Sequence, residues 1–295
     1  MEIKYINRST GNIEAETPPA EGLLKFLYSN ELGKRVFLPL IKRKFITAIY
    51  GRMMDKKSST KKIEKFVSDL NIDMSESQKG MDEFTSFNDF FYRKLKPEAR
   101  EIKGDFVSPG DGRLLAFENV NDVSNFFIKG RKFTLSDFLN SKDLAKSHKN
   151  SSMVIVRLAP NDYHRYHFPC EGTPSKSEKI NGFYYSVSPY AVTNNFAEVF
   201  CENKREICSI KLPNQEEVLI IPVGATMVGS ISSTYQSNEP VKAGDEMGYF
   251  SFGGSTVVLL FPSEKIKLSQ DLLENTKNNM ETFVKMGESI GEVLG

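Results

Sequence analysis

Apolar residues along this chain follow one period up to about residue 100 and another beyond it. Leu38, Ile41, Phe45, Ala48 and Ile49 recur at helical spacing, after an earlier apolar turn at Leu23, Leu24, Phe26 and Leu27. Ile63, Phe66, Val67 and Leu70 repeat the pattern and predict a second helix opened by Ser59-Thr60. Ser86 and Asp89 make a capping box for a third, with Phe87, Phe90, Phe91 and Leu95 as its buried stripe and Pro97 closing it. From about Glu101 the texture turns to short apolar strands broken by Gly, Pro and Asn: Val107, then 114–117, 153–158, 208–212, 218–223, 249–252 and 256–261. Val257 to Phe261 is apolar throughout, as in a strand covered on both faces. The segment Asp137 to Ser152 is polar and lysine-rich, which predicts an exposed loop containing His148. The fold expected is α+β: N-terminal amphipathic helices over residues 1–100, then a β-rich domain of barrel or sandwich type over 101–295.

Composition narrows this picture only a little. At 295 residues the chain can bury a full core, and 39% apolar and 26% charged residues with net charge +1 exclude a disordered or nucleic-acid-coating protein. Charge is uneven, however. Residues 21–57 hold nine Lys and Arg against three Asp and Glu, on the same stretch that carries the apolar stripe. Such a helix either packs on its own domain with a solvated lysine face or lies in the headgroup layer of an anionic membrane. Three cysteines without paired spacing fit free thiols in a reducing compartment. The first 17 residues lack the apolar core of a signal peptide, and 218–231, the longest greasy stretch, is too short for a membrane span.

Chemistry concentrates in three places. Gly253 and Gly254 stand directly before Ser255 and the apolar strand, so the backbone can take strained dihedrals and leave the Gly254 carbonyl open to the neighbouring hydroxyl. Attack there converts amide to ester; elimination and hydrolysis then cut the chain between Gly254 and Ser255 and leave a pyruvoyl group where the serine was. Taken alone, Gly-Gly-Ser-Thr also reads as an ordinary tight turn, and Asp111, between Gly110 and Gly112, as a turn former. His164 and His167 are two of only three histidines. They face opposite ways in a strand and meet in a turn. No third ligand at helpful spacing supports a metal site, whereas a histidine oriented by Asp111 and reaching Ser255 would make a Ser-His-Asp relay.

Four stretches occur together and in order: Ser108-Pro109-Gly110-Asp111-Gly112-Arg113, Lys129-Gly130, Asp162 to Gly172 with Tyr163-His164-Arg165-Tyr166-His167, and Phe250 to Val257 around Gly253-Gly254-Ser255-Thr256. With Phe87-Asn88-Asp89-Phe90-Phe91-Tyr92-Arg93-Lys94-Leu95-Lys96-Pro97, this set resembles the phosphatidylserine decarboxylases, pyruvoyl-dependent enzymes of phospholipid synthesis, in their bacterial membrane-associated form. The resemblance implies a self-cleaving proenzyme with a β chain of 1–254 and an α chain of 255–295. It implies a covalent pyruvoyl cofactor made from Ser255, no metal, and decarboxylation of phosphatidylserine through a Schiff base. Asp111, His167 and Ser255 would then serve self-cleavage and His164 the decarboxylation. The implied setting is the cytoplasmic face of the cell membrane, held peripherally, with the two cut subunits as a heterodimer within a higher oligomer. Two departures stand out: Gly253 where many relatives have Leu, and Asn203-Lys204-Arg205 where relatives often have Asn-Glu-Arg. Two other classes fit parts of the chain. One is a Ser-His-Asp hydrolase without self-cleavage; the other is a biotinyl- or lipoyl-like module, suggested by Val241 to Gly248.

Overall fold

The computed structural model describes residues 3–16, 21–127, 132–225, 230–253 and 255–294. Lys129-Gly130 and Gly254, singled out above, lie outside them. The apolar runs become the middle of a ten-stranded sheet in which Gly112–Phe117, Ser151–Leu158, Ser255–Pro262, Glu217–Gly224 and Arg205–Lys211 are neighbours, all antiparallel. Residues along the first three of these strands are buried almost without a break, as expected where both faces are covered. Two three-stranded sheets flank it. One joins Ile231–Ser233, Glu246–Phe250 and Arg165–His167; the other joins Ile266–Leu268, Ser289–Val293 and Phe106–Val107.

The mixed α+β class expected from the pattern is present, but none of the sheets closes into a barrel. The large sheet runs instead from an exposed edge at Ile13–Glu16 to a two-residue edge at Thr173–Pro174. Both ends are short, and the first alternates with glutamates while the second carries a proline, features that stop a sheet from pairing further. The hairpin Ile3–Asn7 and Ile13–Glu16 belongs to this sheet, its first strand running parallel to Glu281–Val284.

The N-terminal segment supplies helices Glu21–Ser29, Leu38–Ile41, Lys44–Met54, Ile63–Asp69 and Phe87–Phe91. The third predicted helix stops at Phe91 and leaves Leu95 outside, because Tyr92 offers its carbonyl to Arg165 Nε at 2.9 Å and Lys94 offers its own to the Gln78 amide. Ser86 does cap it, its hydroxyl accepting from the Asp89 amide at 3.1 Å. Around this helix a second core forms from Met54, Ile63, Phe84, Phe87, Phe90 and Phe91. Phe252 reaches into it, with ring centroids 4.9 Å from both Phe87 and Phe91. Residues just ahead of Gly253 are thereby fixed to the helical segment.

The lysine-rich stretch expected to be a loop is ordered differently. It folds as two short helices, Leu135–Leu139 and Lys142–Ser147, capped by the Thr134 and Ser141 hydroxyls. His148 is buried after them, its Nδ1 3.0 Å from Ser151 Oγ. Local caps there outweigh the polar composition.

Candidate active site

Register places Ser255 at the first position of the central strand, opposite Leu158 on one side and Gly224 on the other. It is fully buried, and its hydroxyl makes no hydrogen bond among the described residues. An orphaned hydroxyl in a dry site costs free energy unless its reactivity is used. Before it, Gly253 has φ of 141°, backbone that side-chain-bearing residues avoid. The glycine that departs from the usual leucine therefore occupies a bend suited to it.

His164 lies with its ring centroid 3.9 Å from that of Phe91, which itself touches Phe252. Its Nδ1 donates to the Asp162 carbonyl at 2.9 Å, which fixes the tautomer and leaves Nε2 as a bare lone pair. Nε2 is buried without a full hydrogen bond, though the Gly253 backbone is close enough to favour the charged ring slightly. Burial, helped by the nearby Arg93 charge, brings His164 down to about 3. The loop holding it is pinned by Asp162, whose carboxylate accepts from the Ala159 amide and from Arg113. Burial raises Asp162 to about 6 against the pull of Arg113, so it remains ionised at neutral pH.

His167 sits differently. Its Nδ1 donates to the Gly244 carbonyl at 2.8 Å and its Nε2 accepts from the Tyr163 hydroxyl at 3.1 Å. Burial lowers its pKa as well. The Asp111 turn abuts this strand, since the His167 amide donates to the Pro109 carbonyl at 2.8 Å. Asp111 itself is taken up by Arg100, with contacts of 3.0 and 2.5 Å, and by the Met286 amide at 2.8 Å. The structure thus brings the Asp111 turn against His167, and Gly253 and Phe91 against His164, with Phe252 on Phe91. Among the described residues it joins neither histidine to Asp111 or Ser255 by a hydrogen bond. Arg93, Arg100, Phe91, Tyr163 and Phe252 were missed as site residues. All but Arg100, three residues past Pro97, sit inside a quoted motif, but nothing in spacing marks a buried arginine as a neighbour of a histidine.

The depressed His164 has a consequence for stability. An unfolded histidine titrates near 6.5, so between that pH and about 3 the unfolded chain binds a proton that the folded one refuses. Stability falls as pH falls through this window, by about 2 kcal/mol from pH 7 to pH 5 for this ring. In an uncut Ser255→Ala background, His164→Gln is expected to flatten the acid loss of stability by that amount, read from urea midpoints at the two pH values. Parallel pH profiles would mean that the ring is not buried as described.

A family model described as phosphatidylserine decarboxylase matches residues 87–292. The chain is 49% identical over 292 residues to the phosphatidylserine decarboxylase proenzyme of Fusobacterium nucleatum subsp. nucleatum, covering 98% of this chain and 97% of that one. It is 45% identical over 292 residues to a protein of the same description from Clostridium botulinum (strain Langeland), covering 98% and 99%. With that of Clostridium tetani it shares 45% over 295 residues, covering 98% of each.

Proposed function

The chain belongs to the phosphatidylserine decarboxylase family, and from that premise we propose that Ser255 is where the precursor cuts itself and that Asp111, His164 and His167 serve the two reactions. It is a carboxy-lyase of phospholipid biosynthesis, made as a proenzyme, that converts phosphatidylserine to phosphatidylethanolamine and carbon dioxide with a pyruvoyl cofactor. The observation that carries the assignment is the Ser255 hydroxyl, buried and, among the described residues, unpartnered, two residues after a glycine at φ 141°. Its attack on the Gly254 carbonyl forms an ester and frees the Ser255 nitrogen. Loss of the Cα proton then expels the Gly254 carboxylate, and water takes up the remaining enamine with release of ammonia. The group so made would stand where the buried Ser255 side chain now lies, with His164 Nε2 as another buried polar atom that lacks a hydrogen bond among the described residues. It supplies a ketone that captures the substrate amine and accepts the electrons released as carbon dioxide leaves.

In this reading Asp111 and His167 assist the cut, and the bare Nε2 of His164 first takes up a proton as the substrate amine loses one and then passes it to the substrate carbon. For His167 to act, Tyr163 must release its Nε2. The bare Nε2 of His164 favours a second reading, in which His164 takes the Ser255 proton. The overall function is tested with a carbonyl reagent: borohydride added with phosphatidylserine is expected to abolish carbon dioxide release. Undiminished carbon dioxide release after borohydride would show that no ketone takes part in the reaction.

The division into a docking region, 1–100, and a catalytic domain, 101–295, is part of the same proposal. Among the described residues no helix is long and apolar enough to cross a membrane. Peripheral contact at the cytoplasmic face, by the basic segment 21–57, is supported by large apolar side chains left open to solvent on it. Leu32 and Leu40 are 57% and 58% exposed, with Val36 and Phe37 between them. Because residues 3–16 belong to the large sheet, deleting 1–57 would damage the fold, and point changes are the better test. Leu32→Asp with Leu40→Asp is expected to reduce cosedimentation with phosphatidylglycerol vesicles at least about tenfold, from the apolar area withdrawn and the charge added. Undiminished cosedimentation would reject docking by this face. The two cut chains are proposed to stay together as a heterodimer and to join into a higher oligomer, which native mass spectrometry reads directly.

A further inference from the structure

Among the described residues the arginines with buried side chains are matched, with one exception. Arg100, Arg113, Arg157 and Arg165 each hold carboxylates, and Arg205 fills three backbone carbonyls. Arg93 is 6% exposed, yet among the described residues its guanidinium makes no hydrogen bond and no ion pair. It lies over the Phe90 ring, 5.3 Å from the centroid. A buried cation with no anion at hydrogen-bond distance is costly to keep, so it persists where something anionic is to be received. Its place in the fold says where. Arg93 follows the helix Phe87–Phe91 by two residues, its amide donates to the Phe90 carbonyl, and Phe91 lies against His164. Asp111 and Asp162 are near enough to favour its charge, but each is already held at hydrogen-bond distance by another arginine.

Resting on the decarboxylase reading, we infer that Arg93 is the receptor for the phosphodiester of the lipid headgroup, the contact that sets the depth at which the serine moiety enters the site. The headgroup offers two anions. The carboxylate is the less suitable, because it must shed its charge to leave as carbon dioxide and an arginine held on it would stabilise the ground state above the transition state. The phosphodiester keeps its charge from binding to release, and a guanidinium meets it with two parallel N–H donors. Arg93 is then a substrate-binding residue, and its loss should raise KM while leaving self-cleavage and kcat largely in place.

The test uses mature, cut enzyme and dihexanoyl phosphatidylserine, with dihexanoyl phosphatidylglycerol as a probe that has the phosphodiester but neither amine nor carboxylate. Intact mass first establishes that Arg93→Met cuts itself as wild type does. Arg93→Met is expected to raise KM by about 10- to 100-fold, the range of a charge-assisted pair, with kcat within about threefold. Calorimetric binding of the phosphatidylglycerol should weaken in parallel, and Arg93→Lys should fall between. If Arg93→Met does not fold, Arg93→Lys carries the test, since it keeps the charge and loses the two-pronged contact. Unchanged KM and probe binding would overturn the inference, as would a loss confined to kcat. Inorganic phosphate binding as tightly as the lipid probe would reassign Arg93 to a free anion. A wild-type enzyme that releases no carbon dioxide from phosphatidylserine would instead remove the underlying decarboxylase reading.

Discussion

Ser255→Ala is expected to remain one chain of 295 residues and to lose decarboxylase activity by on the order of 10⁴-fold or more, the scale of removing a covalent catalytic group. Wild type should give two fragments, the smaller lighter by one ammonia than a chain beginning with serine. The substitution separates chemistry from folding cleanly, because the hydroxyl it removes is buried and, among the described residues, has no hydrogen-bond partner. Deleting an unsatisfied buried hydroxyl costs little and can stabilise. The variant should therefore unfold at or above the wild-type precursor's urea midpoint while staying uncut. Intact mass settles the matter, and fragments at Gly254 and Ser255 in the variant would show that the hydroxyl is not the nucleophile.

The second large effect divides the two histidines. His167→Ala is expected to leave the precursor uncut, at less than about 1% of the wild-type rate, the usual scale for a general base. His164→Ala is expected to cut and then fail in decarboxylation by a similar factor. Intact mass reads the first step and labelled carbon dioxide the second. The geometry makes this a severe test: His164 has the bare Nε2 whereas both nitrogens of His167 are engaged. An uncut His164→Ala beside a cut His167→Ala would exchange the roles. Tyr163→Phe adds a direct probe, for it frees His167 Nε2 and should speed the cut if His167 is the base.

Much of this was legible in the chain because it depends on neighbours in sequence. The central strands follow from uninterrupted apolar runs such as Val257 to Phe261, and the Ser86 cap from a hydroxyl three residues before Asp89. The glycine pair before Ser255 announced a bend, and Gly253 makes one. What stayed hidden is set by distant partners. Helix Phe87–Phe91 ends early because of Arg165, more than 70 residues away, and Asp111 answers to Arg100 rather than to a histidine. Arg157 links Glu16 to Glu281, tying the two ends of the chain through the middle strand. Openness of the large sheet likewise depends on how its edges are blunted. A list of strands does not contain that information.

The position of Ser255 in the sheet also decides what kind of object the cut protein is. Residues 255–294 contribute the central strand Ser255–Pro262 and the strand Glu281–Val284, each paired on both sides with strands from before the cut. A cut at Ser255, as proposed above, would leave a single cooperative fold shared by two separate molecules. The precursor can refold by itself, but the mature pair, once fully unfolded and diluted, must find its partner in solution, and its recovery becomes dependent on concentration. Folding must come before cutting, and the cut then works as a ratchet: it preserves a shape that the separated pieces no longer reach by themselves at low concentration.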